Sequence, residues 1–370
     1  MQKTKKIIVS GGGTGGHIFP AISIANALKT KDPSIEILFV GAIGKMEMEK
    51  VPAAGYKIVG LPISGFQRKF SLSNLSFFYK LFISLRKAKK IIAEFKPDAV
   101  VGVGGFASGP LLRVATNKHI PSLIQEQNSY PGVTNKILAN KVDKICVAYD
   151  GMEKWFPQNK IIKTGNPVRQ DLLKHICKRD EAFQYFELQG NHKTVMVVGG
   201  SLGALTINES ISLNLDKIIE NKLQVIWQTG KSYYEKAKEE VRKTGYKGIK
   251  VVPFISRMDF AYSISDIIIS RAGASTISEL CLIKKPAILV PSPNVAEDHQ
   301  TKNAMALVNN SAAMMITDAE ARTLLVNEMI TLLNDPYKKA IYIENIAKMA
   351  IIDSADIIAN EILKLIENKK

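Results

Sequence analysis

Near the N-terminus, Gly11-Gly12-Gly13-Thr14-Gly15-Gly16-His17 places an imidazole at the end of a glycine loop. An imidazole titrates near neutrality, so His17 is a candidate general base. The amides of Thr14, Gly15 and Gly16, at the start of a following helix, could hold a phosphate or an oxyanion. Gly199-Gly200-Ser201-Leu202-Gly203-Ala204 repeats the design mid-chain, where its amides and the Ser201 hydroxyl could meet a diphosphate. A third loop, Val103-Gly104-Gly105-Phe106-Ala107-Ser108-Gly109-Pro110, sits where open α/β sheets bind ligands, and Gly104, Gly105 and Phe106 are assigned to the acceptor side of a group transfer. Gln125-Glu126-Gln127-Asn128 sets a carboxylate among three amides, suited to sugar hydroxyls or a peptide. Glu126 is the second catalytic candidate, with a capping loop as the alternative. Arg169, in Gly165-Asn166-Pro167-Val168-Arg169, has the fork geometry for a diphosphate. Ser270-Arg271-Ala272-Gly273-Ala274-Ser275-Thr276-Ile277-Ser278-Glu279 offers Glu279 to a ribose diol, and Glu297 to Ala304 forms a last polar cluster.

The elements that must position these groups alternate. Short apolar runs at Ile7–Ser10, Ile35–Val40, Tyr56–Leu61, Ala99–Val103, Ser122–Gln125 and Lys144–Ala148 read as buried parallel strands. Helical stretches at Pro20–Lys29 and Leu75–Phe95 fall between them. Thr194–Val198, Gln224–Gln228, Lys250–Pro253, Ile267–Ser270 and Ala287–Val290 repeat the pattern. This predicts an α/β protein with two Rossmann-like parallel-sheet domains facing each other across a cleft. Their expected extents are 1–165 and 166–340, with a turn at Gly165-Asn166-Pro167 between them. Tyr337–Glu367 reads as helix, and the segment 341–370 is expected to cross back onto the first domain. Two facing nucleotide folds suit transfer of a group off a nucleotide carrier.

Composition narrows the classes. Three separated cysteines form neither a disulfide framework nor a zinc motif, which fits a reducing cytoplasm. No apolar run is long enough for a membrane span, and none near the N-terminus for a signal peptide. Residues 1–167 hold 24 Lys and Arg against 10 Asp and Glu, whereas residues 168–370 hold 26 against 24. So one-sided a charge suggests a polyanionic surface, nucleic acid or anionic lipid. Between Gly65 and Ile92, aromatic and aliphatic residues, Phe77, Phe78, Leu81 and Phe82 among them, interleave with seven cations. That pattern favours contact with an anionic membrane, the bland alternative being ordinary helix core.

The motifs GGGTGGHIFPAISIA, GVGGFASGP, EQNSYPGVTNK, TGNPVR, GGSLGA, RAGASTISEL and EDHQTKNA, in that order, closely resemble one bacterial family nearly end to end. It is the family of undecaprenyldiphospho-muramoylpentapeptide β-N-acetylglucosaminyltransferases, which convert lipid I to lipid II in peptidoglycan synthesis. The resemblance implies the GT-B fold, UDP-N-acetylglucosamine as donor, lipid I as acceptor and a peripheral place on the cytoplasmic face of the plasma membrane, with other cell-wall proteins as partners. It implies Thr14, Gly15 and Gly16 against the donor, with His17 near the reacting centre. Asn128 and Gln300 would lie on the donor sugar, Arg169 and Ser201 on its diphosphate, and Ile255 by the uracil. Ala274, Ser275, Thr276, Ile277, Ser278 and Glu279 would hold the nucleoside, with Glu279 on the ribose. Some members carry histidine where this chain has Gln125, which strengthens His17 as the base here.

The expected reaction is an inverting transfer to the 4-hydroxyl of the N-acetylmuramoyl unit, with no obligate metal or other cofactor. The rivals are another GT-B transferase acting on a lipid acceptor or a natural product, a UDP-sugar epimerase, and a nucleic-acid binder. The last leaves the glycine loops and Glu279 without a role, so no nucleic-acid partner is expected.

Overall fold

A computed structural model describes residues 4–65, 73–168, 179–200 and 202–369. The chain divides into two compact units, Met1–Arg169 with Ile351–Lys370, and Gln170–Ala350. The boundaries read from the sequence were 165/166 and 340/341.

Unit 1 is a seven-stranded sheet of order β3-β2-β1-β4-β5-β6-β7, parallel throughout. Its strands are β1 (Lys6–Ser10), β2 (Glu36–Ala42), β3 (Lys57–Leu61), β4 (Ala99–Gly102), β5 (Ser122–Glu126), β6 (Lys144–Val147) and β7 (Ile161–Lys163). Successive side chains point to opposite faces, so each apolar run feeds two cores. Ile7, Val9, Phe39 and Val101 pack with Ile18, Ile24 and Leu28 of helix α1 (Gly15–Lys31). Ile8, Val40, Val100 and Ile124 pack with Ala88, Ile91 and Ile92 of α3 (Ser73–Phe95) and Leu111 and Leu112 of α4 (Ser108–Asn117). A sheet covered on both faces explains why its strands are nearly all apolar rather than alternating.

Unit 2 repeats this with six parallel strands ordered β10-β9-β8-β11-β12-β13. They are β8 (Thr194–Val198), β9 (Gln224–Gln228), β10 (Ile249–Val252), β11 (Ile267–Ser270), β12 (Ala287–Leu289) and β13 (Met314–Met315). Trp227 is fully buried on β9, and its indole N–H donates to Asn208 Oδ1 at 3.0 Å.

The C-terminal stretch expected as one helix is two, Pro336–Lys348 and Ser354–Glu367. The first belongs to unit 2, and the second packs on α1 in unit 1 through Ile358, Ile362 and Ile366. Burying each isoleucine contributes about 1.5–3 kcal/mol, so this terminal helix is part of the unit 1 core.

Both sheets share one topological feature. Chain order reverses between β1 and β4 in unit 1 and between β8 and β11 in unit 2. Ligands of open α/β sheets bind in the crevice that such a reversal opens at the strands' C-terminal ends. The glycine loops follow β1, β4 and β8, and the loop from Arg271 to Gly273 follows β11.

Candidate active site

In unit 1 the reversal brings the first and third glycine loops together. Thr14 is in an extended conformation as the N-cap of α1, without a side-chain cap, and the helix turns His17 back on its own loop. His17 Nδ1 lies 3.0 Å from the Gly12 carbonyl oxygen and 3.3 Å from Thr14 Oγ1. A carbonyl can only accept, so this bond puts the proton on Nδ1 and makes Nε2 the basic nitrogen of the neutral ring. Nε2 lies against the third loop: a Cβ added to Gly104 would stand 2.8 Å from it. Gly105, at φ +88°, lies so close to the first loop that a Cβ there would be 2.3 Å from the Gly12 carbonyl oxygen. Ser108, fully buried, donates through Oγ to the Gly104 carbonyl at 2.8 Å and is 3.0 Å from that of Ser10, which locks the two loops. Phe106 is 44% exposed beside them.

The polar run after β5 is a lattice. Gln125 Nε2 donates to Asn166 Oδ1, Asn166 Nδ2 to the Gln127 carbonyl, and Gln127 Nε2 to the Val103 carbonyl, all at 2.8–2.9 Å. Glu126 is 2% exposed and accepts four hydrogen bonds. Oε1 takes the Asn128 backbone N–H and Nδ2 at 3.0 and 3.2 Å, and Oε2 takes the Gly132 N–H and Asn135 Nδ2 at 3.0 and 2.8 Å. The sequence made Glu126 a catalytic candidate. With both oxygens occupied and buried, its geometry is that of a brace for the loop that carries Asn128.

In unit 2 the glycine loop after β8 leads into the helix Leu205–Ser212. Gln228, 2% exposed, ties this loop to the segment after β10: its Nε2 donates to the Gly200 carbonyl, and its Oε1 accepts the Ile255 N–H, each at 2.9 Å. The Ile255 side chain is buried, so any contact with a base would use its main chain. The loop after β11 opens the helix Ala274–Ile283, whose Gly273 N-cap has no side-chain cap and whose N-terminus favours an anion. The Ala274 and Ile277 side chains are buried; Ser275, Thr276 and Ser278 are half-buried. The Ser270 and Ser275 hydroxyls are buried with no protein hydrogen-bond partner, which leaves polar capacity at this end of the sheet. Tyr262 OH donates to Glu279 Oε2 at 2.8 Å, orienting the carboxylate. Ser292 N–H donates to Gln300 Oε1 at 2.9 Å, fixing that amide's orientation. The two residues before the Gln300 helix, Glu297 and Asp298, both have positive φ, a costly conformation for side chains of this kind. Arg271 pairs with Asp318, whose other oxygen accepts Thr206 Oγ1 at 2.8 Å, so Asp318 braces two loops.

Arg169 and Ser201 lie outside the described residues. So do residues 66–72 of the aromatic and basic segment. Within α3 the four apolar residues singled out divide. Phe77 and Leu81 pack on the unit 1 core, while Phe78 and Phe82 are 62% and 52% exposed. The Arg86 guanidinium stacks 4.4 Å from the Phe82 ring centroid. The bland reading therefore holds for half of this set. Among the described residues, no helix is long and apolar enough to cross a membrane.

Glu47, Gln228, Tyr262 and Asp318 were missed from the sequence. Glu47 starts a helix and Gln228 ends a strand, whereas Tyr262 lies inside the helix Met258–Ile264 and Asp318 in the loop after β13; each is an ordinary polar residue that acquires its role from a partner distant in the chain.

Residues 7–147 match the glycosyltransferase family 28 N-terminal domain, and residues 194–360 match its C-terminal domain. The chain is 58% identical over 366 residues to the UDP-N-acetylglucosamine–N-acetylmuramyl-(pentapeptide) pyrophosphoryl-undecaprenol N-acetylglucosamine transferase of Parabacteroides distasonis, a match covering 98% of this chain and 99% of that one. It is 57% identical to the protein of the same name from Phocaeicola vulgatus, over 99% and 97% of the two chains. Among solved structures, the crystal structure of Acinetobacter baumannii MurG matches with a TM-score of 0.78 at 27% identity, over 97% of this chain and 99% of that one. With two Rossmann-like units in the GT-B pattern and relatives this close over nearly its whole length, the chain belongs to glycosyltransferase family 28 and, within it, to the UDP-N-acetylglucosamine–N-acetylmuramyl-(pentapeptide) pyrophosphoryl-undecaprenol N-acetylglucosamine transferases.

Proposed function

We propose that this enzyme transfers N-acetylglucosamine from UDP-N-acetylglucosamine to the 4-hydroxyl of the N-acetylmuramoyl unit of undecaprenyl-diphospho-muramoylpentapeptide, with inversion. The observation that carries this reading is the 58% identity, over 98% of the chain, with a relative named for this transfer. The geometry supplies suitable groups. His17 Nε2 takes the proton of the acceptor hydroxyl as its oxygen bonds to the anomeric carbon. The bond from that carbon to the diphosphate oxygen breaks, and its electron pair leaves with UDP. Attack opposite the leaving group gives the β linkage. The charge on the departing diphosphate is met by the helix N-termini after Ala204 and Gly273, with Arg169 and Ser201. Glu279 takes the ribose, the main chain at Ile255 the uracil, and Asn128 and Gln300 the sugar. Gly104, Gly105 and Phe106 take the acceptor. No divalent metal is required.

The enzyme works at an anionic inner leaflet on the cytoplasmic face of the membrane. Support comes from the outward-facing Phe78 and Phe82 with Arg86 beside them, and from the basic first half of the chain.

The test is UDP release from UDP-N-acetylglucosamine in the presence of chelator, with and without a lipid I analogue. Acceptor-dependent release with a disaccharide product is expected. Turnover without acceptor would make the protein an epimerase. Recovery with added divalent ion alone would overturn metal independence and keep the transferase.

A further inference from the structure

The first glycine loop is gripped from behind by a carboxylate that the reaction above leaves unused. Glu47 opens the helix Glu47–Ala53 and is fully buried. Its Oε1 accepts the Ala42 N–H and its Oε2 the Gly13 N–H, each at 2.9 Å. The slot is close on both sides. A Cβ on Gly12 would lie 2.1 Å from Glu47 Oε1, and one on Gly41 2.5 Å from its Cγ. The Gly13 N–H and the Gly12 carbonyl belong to one peptide unit, and that carbonyl is the group 3.0 Å from His17 Nδ1. In a trans peptide the N–H and C=O point in opposite directions. A single planar group is therefore held by Glu47 on one edge and by His17 on the other.

We propose that Glu47 is a positioning residue for the transfer, acting through the Gly12–Gly13 peptide to hold His17 as the Nδ1–H tautomer with Nε2 basic. This rests on the reading of His17 as the base. A carboxylate accepting an amide N–H polarises the amide and strengthens the bond that its carbonyl accepts. It thereby stabilises the imidazolium formed when Nε2 takes the acceptor proton. The carboxylate behind the histidine of a serine protease triad does the same without an intervening peptide.

The experiment uses the full chain labelled with 15N-histidine. The His17 signal is assigned by its loss in His17→Ala, and the UDP-release assay runs in parallel. The wild type should show a neutral ring protonated at Nδ1. Glu47→Gln keeps the shape but offers one oxygen to two N–H donors. It should lower kcat by about 10- to 100-fold, a part of the roughly 100- to 10,000-fold that a general base contributes, because the base itself remains. Donor KM should stay within about two-fold, because the loss falls on the chemical step. The ring should move toward the Nε2–H form, and the variant should add no further loss in a His17→Ala background. Wild-type His17 protonated at Nε2 overturns the proposal, as does Glu47→Gln with unchanged kcat and tautomer. If that variant does not fold, the wild-type spectrum still decides by the same criterion. Full activity in His17→Ala would sink the base reading itself, whereas an inactive His17→Ala beside an unaffected Glu47→Gln sinks the Glu47 proposal alone.

Discussion

Glu126 separates two roles that the sequence left together, and Glu126→Gln tells them apart. The wild-type carboxylate accepts two hydrogen bonds on each oxygen, from Asn128 twice, Gly132 and Asn135. Glutamine keeps one oxygen and turns an NH2 group on two of those four donors. Hydrogen bonds to a charged group contribute about 1.5–3 kcal/mol each, so losing two costs about 3–6 kcal/mol. The residue is 2% exposed, which leaves water little chance to replace them. For a unit of this size each kcal/mol lowers Tm by about 2–4 °C, giving a drop of about 6–24 °C. Thermal unfolding by circular dichroism reads this directly. Turnover of the folded variant, assayed well below its Tm, should fall by less than about ten-fold, since a brace touches no reacting atom. An unchanged Tm with a loss of about a thousand-fold or more in kcat would refute the argument and restore Glu126 as a catalytic group.

Four further outcomes follow from the same contacts. Gln228→Leu leaves the Gly200 carbonyl and the Ile255 N–H without their partner, so Tm should fall and KM for UDP-N-acetylglucosamine should rise more than kcat falls; an unchanged KM contradicts the bridge. Gly105→Ala forces a side chain into φ +88° and against the Gly12 carbonyl, at about 1–2 kcal/mol for the backbone alone. Steady-state kinetics should show kcat falling with donor KM held. Replacing Phe78 and Phe82 together with glutamate removes two anchors worth about 1.5–3 kcal/mol each and should weaken sedimentation with phosphatidylglycerol vesicles about 100-fold or more, sparing turnover of a soluble acceptor. Burial pushes the Cys146 and Cys281 thiols up to about 12 from an ordinary 9.0. The folded state therefore holds those protons more tightly than the unfolded state. Their contribution is complete below about pH 9 and is lost between about 9 and 12, at about 1.4 kcal/mol per pH unit for each thiol. An alkaline denaturation series on Cys281→Ala should show a slope smaller by one thiol.

Much of this architecture was legible because a strand buried on both faces must be an apolar run. Thr194–Val198, Gln224–Gln228 and Ile267–Ser270 fall where the sequence placed them. β7 and β13 escaped because they are edge strands of three and two residues and none of those residues is fully buried. The C-terminal pair of helices was read as one, although Asp335-Pro336 caps the first helix and Asp353 precedes the second, where the chain passes from one unit to the other. The glycine loops and His17 announced themselves by residue type. Glu47 did not: in Lys45-Met46-Glu47-Met48-Glu49 it is one charge of several, and its burial depends on glycines at 12 and 41. A signal was present in those glycines, since a backbone stripped of Cβ atoms on two strand ends implies something packed between them.

Glu47 and Gln228 occupy equivalent places in the two units. Glu47 follows β2, which lies beside β1, and Gln228 ends β9, which lies beside β8. Each grips the glycine loop of the neighbouring strand from the side away from the chain reversal. The folds are alike, but the residues differ in charge, and the proposed chemistry accounts for the difference. On the proposed reading, the imidazole across the unit 1 loop becomes a cation, so an anion that accepts two N–H groups helps there. On the same reading the unit 2 loop meets a diphosphate that gains charge as the bond breaks, and a buried carboxylate at its back would oppose it. An amide holds the same backbone with no net charge, accepting the Ile255 N–H and donating to the Gly200 carbonyl. On that reading one loop design, twice present, serves proton removal in one unit and leaving-group support in the other, each set by one buried side chain, Glu47 or Gln228.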